Sequence, residues 1–177
     1  SIFDKKAKLL EAIQNETKSV DEVFLMITGD TAFSGSVEEF ELSKTLFDEL
    51  IEYLSKYSGK KINTIILPGN HDCQKLTEEN KAREGLIKFA QDNGSEAIDQ
   101  SVVDILSSVQ TNYFDFAKHY NPEPIYNSEL LNIYKFQFGD KSLVFYAYNT
   151  AFQSILHEQP GKMIYPVSMF DDKKKKK

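Results

Sequence analysis

At 177 residues the chain can bury a real core, and one domain is the natural reading. A hydrophobic share of 41% and a charged share of 27% are ordinary for a soluble globular protein, and no apolar run is long enough to cross a bilayer. The net charge of −6 excludes a molecule that traps nucleic acid through its overall field, so nucleic acid is not a favoured partner. The single cysteine, Cys73, rules out an intrachain disulfide and suits a reducing cytoplasm, the expected location.

In chain order, Ile2 to Asn15 reads as a helix with Phe3, Leu9, Leu10 and Ile13 on its apolar face. Val23 to Thr28 is a short apolar run ending in Gly29-Asp30, and reads as a strand. Ser36-Val37-Glu38-Glu39 is a capping box that opens a long amphipathic helix. Its stripe runs from Phe40 to Leu54, and Ser58-Gly59 closes it. Ile62 to Leu67 is a second buried strand, halted by Pro68-Gly69. Strand, helix and strand make a βαβ unit, so the two strands are expected parallel, with Asp30 and Asn70 at one edge of the sheet. Ligands of open α/β sheets bind at that edge. Asn70, His71 and Asp72 offer there an amide, an imidazole and a carboxylate: a metal ligand, a proton carrier and a group to orient it. The same residues also suit a plain turn with a capping Asn. Cys73 beside them is a candidate soft metal ligand, but is read as a bland neighbour.

From about residue 76 to about 120 the chain is rich in helix formers. Thr77 is the expected N-cap of a helix to Gln91, Asp92 to Ser95 is a break, and a second helix is expected from Ile98 to Tyr120. This helical insert suits either a substrate-recognition cap or a structural layer. His119 near its end reads as a helix-end residue. Asn121-Pro122-Glu123-Pro124 is a stiff linker. Leu131 to Phe138 alternates as a half-buried strand, Gly139-Asp140-Lys141 is a hairpin loop, and Ser142 to Tyr148 is apolar enough to be read as a central strand. Asn149-Thr150-Ala151 follows it. His157 reads as a loop histidine, and the five terminal lysines as a solvated tail.

Gly29-Asp30-Thr31-Ala32-Phe33-Ser34-Gly35 and Gly69-Asn70-His71-Asp72, on successive strand ends with a helix between, resemble the paired motifs of the calcineurin-like metallophosphoesterases. The wording is closest to the bacterial branch; the Ser/Thr protein phosphatases carry Asp-Arg where this chain has Phe33-Ser34. The resemblance implies an α/β fold of two mixed sheets packed face to face with helices outside, here a partial domain over residues 1–177. The family's first strand, with Asp-x-His, and its late Gly-His-x-His are not in this sequence.

The resemblance also implies a hydrolase acting on a phosphomonoester or phosphodiester. Two divalent metal ions (Mn, Fe, Zn or Mg) would be bridged by a carboxylate and by the hydroxide that attacks phosphorus. On matching positions Asp30 is the bridging ligand and Asn70 binds the second metal. His71 carries a proton to the leaving oxygen, and Asp72 accepts a hydrogen bond from the His71 imidazole. Residues 1–177 alone are then expected to hold no stable two-metal centre and to be inactive. The alternative is a non-catalytic, phosphoesterase-like scaffold or interaction domain. A nucleotide-binding domain would want a Gly-rich phosphate loop before a helix, which the chain lacks.

Overall fold

The computed structural model describes residues 8, 11, 16–17, 19–74, 81–155 and 161–174. Of the expected first helix, Lys8 and Glu11 are described and are helical. The rest of that helix, Thr77, His157 and the last three lysines lie outside the described residues.

The βαβ unit forms as the patterns require. β1 (Val23–Ile27) and β2 (Ile62–Ile66) pair in parallel, with Val23 opposite Ile62 and Ile27 opposite Ile66. Between them runs α1 (Val37–Ser58). Ser36 accepts from the Glu39 N–H, the Glu39 side chain reaches back to the Ser36 N–H, and Gly59 ends the helix in the left-handed conformation. Alternation along β2 decides what packs where. Ile62 joins Leu50 and Leu54 of α1, and Ile66 joins Phe47, while Ile65 turns the other way to meet Tyr134 and Ala147. Ile65 is fully buried, which contributes about 1.5–3 kcal/mol relative to an exposed side chain.

Tyr134 and Ala147 belong to a hairpin of β3 (Leu131–Phe138) and β4 (Lys141–Tyr148), antiparallel, with Leu131 opposite Tyr148. Phe136 meets Phe24 of β1 edge to face at 4.9 Å. The other face of β3, through Leu131 and Ile133, packs on α2 (Lys81–Asn93) and α3 (Gln100–Ser107), where Ile87, Val103 and Leu106 are buried. α2 and α3 therefore form a layer packed against the hairpin.

Two expectations need correction. The helix expected from Ile98 to Tyr120 is interrupted: α3 ends at Ser107, Ser108–Gln110 is a tight 3-10 turn, and α4 (Thr111–Ala117) follows. The Val109 carbonyl accepts instead from the Gln74 N–H at 2.7 Å, and Gln110 is turned fully inward, so tertiary bonds replace helical ones. Among the described residues each sheet has two strands, one pair parallel and the other antiparallel. β4 is not central. Among the described residues it pairs with β3 alone, and Leu143, Val144 and Tyr146 are 47%, 43% and 37% exposed. Its apolar run implied cover on both faces, yet Leu143 is exposed on one face and Val144 and Tyr146 on the other.

At Ile66, the last residue of β2, the edge away from β1 is met by side chains. The Asn121 amide accepts from the Ile66 N–H at 2.7 Å and donates to the Ile66 carbonyl at 3.0 Å; the Tyr113 hydroxyl donates to that carbonyl at 2.7 Å. No described helix is long and apolar enough to cross a membrane.

Candidate active site

The loops leaving β1 and β2 are in backbone contact. Gly29 has φ +122°, and a Cβ there would lie 2.7 Å from the Gly69 Cα. A Cβ on Gly69 would lie 2.2 Å from Asp30 Oδ1. Asp30 itself sits at φ +57°, rare for a residue with a side chain. Gly35, at the far end of the first motif, rests on the backbone of Cys73. The motif spacing thus records where two loops touch.

Asp72 fastens the contact. It is fully buried, and it accepts from Thr31 Oγ1 at 2.6 Å, the Ala32 N–H at 2.7 Å and the Gly69 N–H at 2.8 Å. Burial pushes its carboxyl pKa up, and these donors pull it part of the way back. Both its oxygens are occupied, and the expected Asp72–His71 bond is absent. The His71 Nδ1 instead faces the Phe33 carbonyl at 2.9 Å, and the ring stacks on Phe33 at 5.3 Å. A carbonyl only accepts, so Nδ1 carries the proton. Sequence reasoning missed this partner because a main-chain oxygen leaves no mark in the residue letters. The His71 N–H donates to Asp30 Oδ1 at 3.2 Å, leaving the other carboxylate oxygen available.

Asp30 and Asn70 open onto one cavity of about 430 Å³, lined also by Thr28, Gly29, Pro68, Gly69, Thr150, Ala151, Ser154 and Met163. The parallel strands thus bring the two expected metal ligands together. His71 and Asp72 are not in the lining: His71 lies alongside, Asp72 beneath. The far wall is the turn after β4. The Asn149 side chain accepts from the Ala151 N–H and pairs with the buried Gln110 amide, and Arg83 of α2 donates to the Phe152 carbonyl at 2.8 Å. The Cys73 thiol points at the Ala151 carbonyl, 3.5 Å away. Ser154 was missed altogether, since nothing in its neighbours marks it.

As a metal site the cavity offers a carboxylate and an amide oxygen, hard donors that fit part of a divalent cation's shell. Among the described residues the lining holds no Lys, Arg or His, and its one formal charge there is that of Asp30. Among the described residues no group of three or more His, Cys, Asp or Glu is placed to hold an ion. His119 is exposed beyond α4 and lines no part of this cavity. A larger cavity of about 750 Å³ lies between α4, the proline linker and the start of β3, and contains none of the motif residues.

Comparison with known proteins agrees with the motif reading. Residues 2–160 match the family model described as calcineurin-like phosphoesterase. The chain is similar to the uncharacterized metallophosphoesterase-like protein YydB of Bacillus subtilis (strain 168), with 30% identity over 138 residues. That match takes in 71% of this chain and 27% of the relative, so the chain spans about a quarter of its length. No solved structure matches.

Proposed function

The chain belongs to the calcineurin-like phosphoesterase family, and on that footing we propose that it supplies the Asp30–Asn70 side of a metal-dependent site that hydrolyses a phosphomonoester or phosphodiester. The observation that carries this reading is the shared cavity. A carboxylate and an amide oxygen, from two parallel strand ends, meet there above loops in backbone contact.

Asp30 and Asn70 would hold divalent ions, which supply the positive charge that the phosphoryl oxygens need as charge develops on them. The described lining residues include no basic side chain that would supply that charge instead. Asp30 would hold such an ion with its carboxylate, of which the His71 N–H occupies one oxygen. His71 holds its ring by Nδ1–H to Phe33, a bond that survives in both the neutral and the protonated imidazole. Its Nε2 is then the atom at which a proton is held and given to the leaving oxygen. Asp72 acts through the backbone, fixing the two loops in register.

The test is hydrolysis of p-nitrophenyl phosphate and bis-p-nitrophenyl phosphate by the intact protein with Mn²⁺, Fe²⁺, Zn²⁺ or Mg²⁺. The expected result is p-nitrophenol release that chelation abolishes. No release with any of the four would overturn the reading and favour a scaffold. Residues 1–177 alone are expected to be inactive, because the cavity's described lining gives two ligands where a catalytic ion usually takes about three from protein.

A further inference from the structure

We propose that Ser154 is a substrate-binding residue. Its hydroxyl donates a hydrogen bond to a non-bridging oxygen of the phosphoryl group, at the wall of the cavity formed by the turn after β4. This rests on the phosphoesterase reading above and adds to it a residue that the paired motifs do not contain.

Ser154 is 5% exposed, lines the Asp30–Asn70 cavity, and its Oγ is buried without a hydrogen-bond partner among the described residues. Buried hydroxyls are nearly always paired, because leaving one unpaired costs the fold its desolvation. A buried hydroxyl left unsatisfied on a residue that lines a cavity is set for something that enters. The cavity fixes the chemistry of that visitor. A phosphoryl oxygen only accepts hydrogen bonds, and Ser154 is a neutral donor that adds no charge to a site already carrying the Asp30 carboxylate. Thr150 and Thr28 place further hydroxyls in the same lining.

The position is also rigid. The Ser154 N–H donates to the Ala151 carbonyl at 2.9 Å. Neighbouring Gln153, itself buried, exchanges two hydrogen bonds with the Ile164 backbone at 2.8 and 3.0 Å. Asn149, Gln110 and Arg83 hold the same turn from behind. A donor held this way needs no ordering when the oxyanion arrives.

The experiment uses the intact protein loaded with Mn²⁺, and inorganic phosphate as the probe. Binding is read by titration calorimetry, thermal midpoint is measured without phosphate, and metal content is measured throughout. Ser154→Ala should weaken phosphate about tenfold, as expected for losing one charge-assisted hydrogen bond. It should leave metal content unchanged and leave the midpoint unchanged or raised, since it removes an unsatisfied group. If the alanine variant is insoluble, Ser154→Cys, similar in size but a weak donor, should weaken phosphate in the same direction. Unchanged phosphate affinity, or a lowered midpoint without phosphate, overturns the proposal, the latter because the hydroxyl would then be serving the fold. Absence of phosphate binding by the metal-loaded wild type overturns it too. Phosphate binding that depends on Ser154, in a protein that hydrolyses no phosphoester, overturns the phosphoesterase reading and leaves this subsite standing.

Discussion

Gly29 and Gly69 touch backbone to backbone, and no side chain fits between them: a Cβ on Gly29 would fall 2.7 Å from the Gly69 Cα. The same crowding from the other side would put a Gly69 Cβ 2.2 Å from Asp30 Oδ1. Gly69→Ala must therefore displace the Asp30 carboxylate or part the loops. The expected result is weaker metal binding together with a stability loss of about 1–3 kcal/mol, the usual range for overpacking. Metal titration and urea unfolding of the same variant check both.

His71→Gln should keep metal content near wild type and lower turnover by ~10²–10⁴-fold, most for substrates with poor leaving groups. The motive is a ring held by the Phe33 carbonyl beside the cavity, with its role at Nε2. Metal loss as large as that of Asp30→Ala would make His71 a ligand instead.

Asp30→Ala and Asn70→Ala should differ in kind. A bridging carboxylate serves two ions, so its loss should deplete both, while loss of the amide should mainly deplete one. Elemental analysis of the purified variants of the intact protein gives the stoichiometries. Equal values in the two would contradict the assignment.

Glu39→Gln should show how firmly the first loop is pinned to α1. One Glu39 oxygen accepts from the Ser34 N–H at 2.8 Å, the Ser34 hydroxyl at 2.9 Å, and the Phe33 and Ser36 N–H groups at 3.3 Å. Partial burial opposes the charged form, but these four donors outweigh it and hold the carboxyl below its ordinary value. A lowered folded pKa stabilises above the unfolded value of about 4.3 and is lost as pH falls through the folded one. The variant should cost about 0.5–2 kcal/mol near neutral pH, the range for a lost cap interaction. That deficit should shrink towards zero as urea midpoints are followed down through the acid range. A deficit independent of pH would remove charge from the explanation.

Local signals fixed much of this protein before any packing was considered. Short aliphatic runs ending in Gly make β1 and β2 legible, Ser36 and Glu39 place the start of α1, Gly59 its end, and alternation with Gly139 marks the β3–β4 hairpin. The helix between the first two strands makes them parallel, so the meeting of Asp30 and Asn70 was legible as well. Packing settled what residue letters do not carry. Asp72 binds backbone amides and Thr31 rather than His71, because two loops in contact present their N–H groups to it. His71 is oriented by a main-chain carbonyl, which every residue has and none advertises. The expected long helix breaks at Ser108–Gln110, with no Gly or Pro to announce it, because the Val109 carbonyl and the Gln110 amide bond to distant partners. Ser154 joins the cavity through a turn that begins more than a hundred residues after Asp30. Periodicity, caps and turns act over a few residues and can be read along the chain. Which polar group answers which across the fold is decided by burial, where each donor takes the acceptor that packing leaves within reach.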